Sequence, residues 1–382
     1  MKVVTACSSR FHIFDQAVQL QRFGILYKII NANPAFHAYN WGIEKSRIIS
    51  STPYGLAQRA INRMPHFLYS SLNHYFHRSY SSFISKNIPI DTNVFIGLSS
   101  LSLDAIKRCK SMGITSIVDH GSLHLRFERE AILRAYENIG LKSGPELAEE
   151  WIIQREQDEF QAADKVVVLS QLAKATLIAE GVSEENIFVN QCGVDTRKFF
   201  PVTKLDDIFR IVFCGGISVR KGVHLLVRAF KNLNLPRSEL LLVGGFQDRS
   251  YFDKVLRDLP GNIRYLGVTS QESLHRIYGR GTIFVLPSVA DGFGMVVSQA
   301  LASGLPVICS DAVGASDIID HGRNGFVFKS QDVDDLESYI LRYYEDVDFV
   351  EWSAGQAVSS VRGQQDWDAY GDRMRNFLLS VQ

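Results

Sequence analysis

The sequence predicts an α/β protein of two domains, each a parallel β-sheet covered by helices on both faces. With 382 residues, the chain is long enough for two domains of ordinary size. Short apolar runs alternate with helical patterns of roughly 10–15 residues, as in parallel sheets. This alternation stops once, at the charged, proline-containing stretch 195–208, and then starts again. The interruption predicts a linker between two sheets.

The first series of predicted elements ends near residue 191. Its strands are short apolar runs: VVTAC, VFIGL, ITSIVD, KVVVLS and IFVNQ. Helical patterns lie between them, such as SLDAIKRCKSMG, in which a glycine follows the last turn. This order predicts one sheet for the first half of the chain.

The second series begins after the linker. Its predicted strands are IFRIVFCGG, ELLLVGG, NIRYLG, TIFVLPS, PVICSD and GFVF. The stretch KGVHLLVRAFKNL has helical spacing, and DWDAYGDRMRNFLLSVQ predicts a terminal amphipathic helix. We therefore predict Rossmann-like domains at 1–200 and 201–360 that face each other across a cleft. We expect a C-terminal helix within 361–382 to pack back toward the first domain.

Composition excludes several classes of protein. Hydrophobic residues make up 46% of the chain and charged residues 21%, which is typical of a soluble globular enzyme. No apolar run approaches the roughly 18–20 residues that span a bilayer, and the N-terminus lacks the apolar core of a secretory signal. The five cysteines form no CxxC pair, which favours reduced thiols without a zinc site. We expect a cytoplasmic protein.

Charge is unevenly distributed along the chain. Residues 1–100 carry ten lysines and arginines against three acidic residues, and no acid occurs between Lys45 and Ile90. The overall net charge is zero, so the rest of the chain is net acidic. The acid-free stretch contains QRAINRMPHFLYSSLNHYFHRSY, which is typical of peripheral contact with an anionic membrane, at its inner face, or of a lipid-linked acceptor site. Buried helix faces explain the aromatic residues equally well.

A glycine turn follows the first predicted strand of the second domain. Gly215 and Gly216 allow a tight turn, and Arg220 and Lys221 stand at the start of the next helix. Two cations beside a helix N-terminus suit a diphosphate. Cations near a glycine turn are also common on ordinary surfaces, so this motif alone is a weak signal.

A second glycine turn precedes the predicted helix 294–303. Gly292 and Gly294 flank Phe293, so amides at the helix start are free to face an anion. Asp291 lies before the helix and Gln299 lies in its second turn. From these residues alone, the favoured interpretation is that Asp291 is a helix N-terminal acid and Gln299 a solvated surface residue.

The motifs taken together resemble a known family. The stretch from VFCGGISVRKG to GFVF, with AADKVVVLS before it, resembles the nucleotide-binding half of retaining glycosyltransferases of family 4, which have the GT-B fold. The resemblance covers about residues 160–330 in the family's order. It implies transfer of a sugar from a nucleotide-diphosphate sugar to an acceptor hydroxyl with retention, in glycan, polysaccharide or glycolipid synthesis. The leaving phosphate is implied to accept the proton, and no metal or other cofactor is implied, because cations and helix amides stabilise the diphosphate.

The resemblance also implies the donor site. The family has two glutamates eight positions apart, for the donor sugar and the ribose, and these positions hold Asp291 and Gln299. Lys221 and Asp291 are implied to be catalytic, and Arg220 is expected to replace a family arginine where this chain has Gly216. The implied donor-binding residues are Gly216, Arg220, Lys221, Gly267, Val268, Asp291, Gly292, Phe293, Gly294, Met295 and Gln299.

The first domain is expected to hold the acceptor. Relatives commonly place a histidine in the loop that corresponds to SIVDHGSLHLRF, where it contacts the donor sugar or assists catalysis. By position this implies His120, with His124 as the alternative. We expect Arg10, His12 and His124 to contact the acceptor.

Two other functions remain compatible with the sequence. One is a GT-B-fold epimerase that acts on the nucleotide sugar itself. The other is a non-catalytic nucleotide-sugar-binding subunit, which is suggested by the replacement of both family glutamates.

Overall fold

A computed structural model describes residues 1–64, 66–142, 144, 146–247 and 259–381 of the chain. Two parallel β-sheets organise it, one of seven strands and one of six. This confirms the predicted α/β class with two Rossmann-like sheets. All five cysteines are free thiols. Among the described residues, no helix combines the length and the apolar character needed to cross a membrane.

The seven-stranded sheet is formed by the first half of the chain, in the order β3-β2-β1-β4-β5-β6-β7. Its strands are β1 (Val3–Cys7), β2 (Leu26–Asn31), β3 (Ile48–Ser50), β4 (Val94–Leu98), β5 (Thr115–His120), β6 (Lys165–Val168) and β7 (Ile187–Val189). Neighbouring strands are parallel. Most are buried on both faces, which explains why they occur in the sequence as continuous apolar runs.

Eight described helices belong to this half of the chain. They are α1 (His12–Arg22), α2 (Ala35–Asn40), α3 (Thr52–Ile61), α4 (His66–Lys86), α5 (Leu103–Met112), α6 (Leu125–Asn138), α7 (Glu150–Ala162) and α8 (Gln171–Ala179). Helix α8 begins at Ser170, whose hydroxyl accepts a hydrogen bond from the Ala173 N–H.

The six-stranded sheet has the order β10-β9-β8-β11-β12-β13. Its strands are β8 (Phe209–Cys214), β9 (Ser238–Val243), β10 (Ile263–Gly267), β11 (Ile283–Leu286), β12 (Val307–Ser310) and β13 (Gly325–Phe328). All neighbours are parallel. Strands β8 and β11 pair directly, so the loops that follow them lie side by side.

The described helices around this sheet are α9 (Val223–Leu233), α10 (Gln271–Tyr278), α11 (Met295–Ala302), α12 (Val333–Glu345) and α13 (Val347–Val361). Helix α11 matches the predicted 294–303 to within one residue at each end. It starts after Gly294, whose φ of 82° lies in the left-handed region that favours glycine, and stops before Gly304.

The last helix, α14 (Trp367–Ser380), returns to the first sheet and packs on α1. Tyr370 is fully buried there, and its hydroxyl accepts a hydrogen bond from Gln16 Nε2 at 2.9 Å. Phe377 stacks on Phe188 with ring centroids 4.2 Å apart. The end of the chain therefore contributes to the core of the N-terminal half.

The two sheets meet where their strands end. Ser170, after β6, donates to the carbonyl oxygen of Gly292, after β11, at 2.8 Å. The Gln171 N–H donates to Asp317 Oδ2 at 2.7 Å. Ligands of open α/β sheets bind beyond the carboxyl ends of the strands, so the junction between the sheets is the place to look for a site.

Candidate active site

Lys221 and Asp291 form the centre of the junction. Lys221 follows β8 and Asp291 follows β11, and the Lys221 ammonium is hydrogen-bonded to Asp291 Oδ2. Their side chains are only 14% and 11% exposed. The structure thus brings together the two residues implied to be catalytic in this domain.

The charges of this pair depend on each other. Burial lowers the pKa of Lys221, although Asp291 opposes that shift. Burial raises the pKa of Asp291, but Lys221 and Arg220 outweigh it and hold that pKa below its ordinary value. Each residue therefore compensates for the burial of the other's charge.

Arg220 is held by acids of the first domain. Its Nε lies 3.6 Å from Glu146 and 3.8 Å from Glu128, and its backbone N–H donates to Glu146 at 3.2 Å. Its guanidinium also donates to the Ala290 carbonyl at 3.3 Å. The second cation of the expected diphosphate site is thus already paired across the junction.

Gly292 allows the two domains to touch. A side chain there would place its Cβ 2.5 Å from the Gly121 carbonyl oxygen, too close for any real contact. The carbonyl of Gly292 also accepts the hydrogen bond from Ser170. A glycine at this position is therefore required for the closed junction, in addition to the expected freedom of the helix-start amides.

Gln299 is half-buried on α11, which differs from the solvated surface residue that its polarity alone suggests. Its Oε1 atom is buried and has no hydrogen-bond partner among the described residues. A buried acceptor without a donor is unfavourable. A ligand hydroxyl is the kind of group that would satisfy it.

The other expected donor residues differ in how much side chain they present. Phe293 is 2% exposed and packs in the core, so only its main chain is available to a ligand. Gly267 has a φ of 71°, and Val268 is 81% exposed. The side chain of Gln247 lies against Gly216: a Cβ built on Gly216 would be 2.6 Å from the Gln247 amide group. Gln247 therefore occupies the space where the family has an arginine side chain. Met295 is half-buried.

The two histidines near β5 are used within the first domain. His120 is 1% exposed, with Nδ1 at 3.0 Å from Ser99 Oγ and Nε2 at 3.1 Å from the Leu123 carbonyl. Burial lowers the pKa of His120 to about 4, so it is neutral. Both of its nitrogens are hydrogen-bonded, and its catalytic role stays a prediction.

His124 caps the N-terminus of α6. Its Nδ1 accepts from the Arg126 N–H, and its Nε2 lies 3.1 Å from Gln157 Oε1. Burial lowers the pKa of His124. This arrangement explains the residue as a helix cap, and its contact with an acceptor stays a prediction.

Arg10 and His12 follow β1 and lie on the first-domain side of the junction. The Arg10 guanidinium stacks over the Trp41 ring at 3.7 Å. His12 is 4% exposed and its Nε2 lies 2.6 Å from Asp119 Oδ1. Burial lowers the pKa of His12, but Asp119 outweighs it and the net shift is upward.

The second domain matches a known family. Residues 208–346 match the sequence model of Glycosyl transferases group 1. This part of the chain is similar to the glycosyl transferases of that group. The motifs that carried the resemblance lie within it or directly before it.

Curated relatives of the chain include glycosyl transferases from a plant and from a bacterium. The sulfoquinovosyl transferase SQD2 of Arabidopsis thaliana is 28% identical over 236 residues, which is 58% of this chain and 45% of that protein. The O-antigen chain mannosyltransferase B of Escherichia coli is 29% identical over 163 residues, 41% of this chain and 42% of that protein. The chain thus spans less than half the length of these two relatives.

Solved structures show that the whole chain shares their fold. Sucrose-phosphate synthase from Thermosynechococcus elongatus superposes with a TM-score of 0.75 at 18% identity, over 100% of this chain and 99% of that one. Anabaena HepE, in complex with UDP and glucose, superposes with a TM-score of 0.70 at 17% identity, over 100% of both chains. The fold is GT-B, as expected.

Sequence reasoning missed the contacts of Arg220 with Glu128 and Glu146 and the contact of His12 with Asp119. Glu146 is 74 positions from Arg220, and Asp119 is 107 positions from His12. For Glu128 and Asp119 the local signal was a place on or soon after β5, whereas Glu146 had no such signal. Among the described residues, no group of three histidines, cysteines or acids has the geometry of a metal site.

Proposed function

We propose that this protein is a glycosyltransferase that moves a sugar from a nucleotide-diphosphate sugar to an acceptor hydroxyl, with retention of configuration. The observation that carries the proposal is the buried Lys221–Asp291 pair at the carboxyl ends of β8 and β11, in a domain similar to the group 1 glycosyl transferases. Glycan, polysaccharide or glycolipid synthesis is the setting that the curated relatives suggest.

In this proposal the second domain binds the donor. Lys221, Arg220 and the first amides of α11 stabilise the charge that develops on the leaving diphosphate. Asp291 accepts a hydrogen bond from a donor-sugar hydroxyl, and Gln299 accepts one from the ribose through its unpaired Oε1. Gly267 and Val268 contact the base through the main chain. That HepE binds UDP in a similar fold supports a nucleotide site of this kind.

The first domain closes over the donor and supplies the acceptor side. The contacts of Ser170 and Gly121 with Gly292 bring the two domains together and exclude water from the reaction. We propose the boundaries 1–200, 201–360 and 361–382 for the two domains and the returning helix. Because Lys221 and Arg220 provide the positive charge, we expect transfer to persist in EDTA.

The proposal is tested by a donor screen followed by one substitution. UDP-, GDP- and ADP-sugars are screened by thermal shift, since a ligand stabilises in proportion to its affinity. Lys221→Ala should then reduce transfer by orders of magnitude with the fold intact, whereas Lys231→Ala, an exposed control on the helix that follows Lys221, should not. Near-wild-type turnover of the Lys221 variant would remove the phosphate assignment.

We also propose that the first domain makes peripheral contact with an anionic membrane. Helices α3 and α4 and the residues between them expose apolar and basic side chains together, in a stretch without acids: Leu56, Arg59, Arg63, Met64, Leu68, Leu72, Tyr75 and Arg78. Such a surface fits the interface of an anionic leaflet.

Liposome flotation tests this contact. Salt-sensitive binding to vesicles of anionic phosphatidylglycerol is expected for the wild type, and reversal of Arg59, Arg63 and Arg78 should abolish it. Reversal of three exposed cations of the second domain, Lys231, Arg276 and Arg280, serves as the matched control. Absence of binding at low salt would contradict the proposal.

A further inference from the structure

Helix α4 presents an exposed apolar stripe. Leu68, Leu72 and Tyr75 follow one another at four and three positions, the spacing that places side chains on one face of a helix. Their exposed fractions are 42%, 38% and 72%. Other positions of the same helix pack in the core, where Phe76 and Tyr80 are 2% and 0% exposed. The stripe is therefore not what fixes α4 to the domain.

Helix α3 adds basic side chains to this stripe. Leu56 and Arg59 are exposed and three positions apart, and Arg63 follows the end of the helix. The two helices pack on each other, since the Tyr54 hydroxyl donates to the Ser79 carbonyl at 3.1 Å. No acid occurs between residues 45 and 90, so the surface is positive. The α3–α4 surface consists of Leu56, Arg59, Arg63, Met64, Leu68, Leu72, Tyr75 and Arg78.

The loops that follow β1 and β2 hold α3 in place. Gln58 Nε2 donates to Ser8 Oγ, directly after β1, at 3.3 Å. A Cβ on Gly55 would lie 2.2 Å from the carbonyl oxygen of Ala32, directly after β2, so the helix backbone rests on that loop. The carboxyl ends of parallel strands meet at one edge of their sheet, which is the edge where ligands bind. Helix α3 therefore borders the edge at which the acceptor is expected.

Helix α4 reaches the same edge further along the sheet. His77 Nδ1 lies 2.9 Å from the carbonyl oxygen of Ser100, which follows β4. His74 packs against Trp151 at the start of α7, with ring centroids 4.8 Å apart. The segment just before α7 contains Glu146, which pairs with the arginine of the proposed donor site. The α3–α4 surface thus lies beside both the acceptor edge and a segment that contacts the donor site.

Exposed aromatic rings continue along this edge. Phe11 follows β1 and is 54% exposed, and Phe36 and Tyr39 on α2, which follows β2, are 57% and 48% exposed. The Lys45 ammonium lies over the Tyr39 ring, 4.4 Å from its centre. Exposed apolar area of this extent marks an interaction site. Aromatic and aliphatic side chains mixed with cations, in a stretch without acids, fit an anionic leaflet.

We propose that the acceptor is a lipid-borne hydroxyl, which enters the junction while its hydrocarbon chains stay in the leaflet bound by the α3–α4 surface. This rests on the proposed glycosyl transfer and names the class of its acceptor. The lipid's hydroxyl oxygen bonds to the anomeric carbon, and the bond from that carbon to the diphosphate oxygen breaks. The leaving diphosphate takes the electron pair and the proton. The glycosylated product remains in the membrane.

The test compares the same hydroxyls with and without their hydrocarbon chains. One acceptor is a total bacterial lipid extract in vesicles, and the other is the set of water-soluble head groups released from that extract by mild alkaline deacylation. The donor is the sugar nucleotide found by thermal shift, labelled in the sugar. The vesicles should increase release of nucleoside diphosphate by about tenfold over the head groups, because lipid and enzyme share one surface. The label should enter the organic phase.

A double variant tests the surface itself. Leu72→Ser with Tyr75→Ser removes apolar area from exposed positions, so the fold should be retained. It should lower transfer of label into the lipid by about 10- to 100-fold, with an unchanged Kd for nucleoside diphosphate. The matched control is Val347→Ser with Leu379→Ser, at positions 67% and 56% exposed elsewhere on the molecule. The control should transfer as wild type does.

Each failure has a distinct reading. Label that stays in the aqueous phase while the donor is consumed overturns the lipid acceptor, as does equal transfer to the deacylated head groups. A folded Leu72/Tyr75 double variant that glycosylates the vesicles as well as wild type also overturns it. A protein that floats with vesicles but glycosylates only water-soluble head groups would keep its membrane contact and lose the lipid acceptor. A protein that binds nucleotides but consumes no donor with either acceptor would instead refute the proposed function.

Discussion

Replacing Glu128 by glutamine should strengthen the binding of a nucleoside diphosphate. The junction holds two cations, Arg220 and Lys221, but three carboxylates, those of Asp291, Glu128 and Glu146. When all are ionised, the empty site is net negative, although its proposed ligand is an anion. Two of the three carboxylates come from the first domain and face Arg220. A phosphate that approaches Arg220 must therefore compete with them.

The magnitude follows from the distance between the charges. Glu128 Oε1 lies 3.8 Å from Arg220 Nε. Opposite charges about 4 Å apart interact by ~1 kcal/mol in water and ~4 kcal/mol at an effective dielectric of 20. The two side chains are 12% and 22% exposed, and Ser122 also hydrogen-bonds Glu128, so only part of this interaction is released. We expect a gain of about 1–2 kcal/mol, which is roughly 5- to 30-fold in Kd.

The same argument gives a pH dependence. Burial raises the pKa of Glu128, and Arg220 only partly opposes it. As pH falls through that raised pKa, Glu128 takes up a proton and frees Arg220. The ratio of wild-type Kd to variant Kd should therefore shrink toward one at low pH and be largest at high pH. The phosphate groups of the ligand also titrate, but they affect both Kd values equally, so their contribution cancels in the ratio.

Isothermal titration calorimetry with UDP, GDP and ADP, at pH 6 and pH 8 without divalent metals, measures this effect. Glu150→Gln is the control, because Glu150 is 60% exposed and pairs with Arg126 and Arg129 on the same side of the domain. If Glu128→Gln binds as weakly as wild type or more weakly, Glu128 does not compete for Arg220. It would then hold Arg220 in place for the phosphate.

Three further predictions concern single residues. Gln299→Glu should tighten nucleoside diphosphate binding, because hydrogen bonds to a charged acceptor are roughly twice as strong. A Kd that is unchanged by calorimetry would show that Gln299 does not contact the ribose. Gly292→Ala should abolish transfer with both domains folded, because the added Cβ would collide with Gly121. Small-angle scattering should show a more open particle. Full transfer activity of the variant would contradict the prediction. Glu159→Gln should lower the free energy of unfolding by about 2–3 kcal/mol, because Glu159 accepts hydrogen bonds from the backbone N–H groups of Ser100, Ser102 and Leu103. Urea denaturation measures this free energy, and an unchanged midpoint would refute the prediction.

The sheets could be predicted because parallel strands are buried on both faces. A strand such as β1, with all five residues buried, has no polar position to break its apolar run. The same logic located Lys221 and Asp291, since both lie in the loops that follow such runs and the runs pair in the sheet. The sequence pattern did not indicate which acid pairs with Arg220. Glu128 lies on a charged helix whose pattern is typical of a solvated face, and only the folded chain brings it to a cation 92 positions away.

The ends of β5 show a second limit of sequence reasoning. Asp119 and His120 are consecutive residues at the end of β5, and both belong to the segment SIVDHGSLHLRF that the sequence places at the cleft. Successive residues of a strand point to opposite faces, so only one of them faces α1 and its His12. The structure assigns that side to Asp119, and His120 turns instead toward Ser99 and Phe160. When a strand is buried on both faces, its apolar pattern does not show which face packs against a given helix.

The division of charge between the domains connects these observations. The second domain supplies both cations and the carboxylate proposed for the donor sugar, whereas the first supplies Glu128, Glu146 and the His12–Asp119 pair. In the proposed reaction neither domain is sufficient, because the second domain binds the donor and its leaving group and the first domain brings the acceptor. Closure without a donor satisfies Arg220 with carboxylates. Closure with a donor replaces them by phosphate and brings the acceptor hydroxyl to the donor sugar, so a bound donor is what makes the closed state reactive.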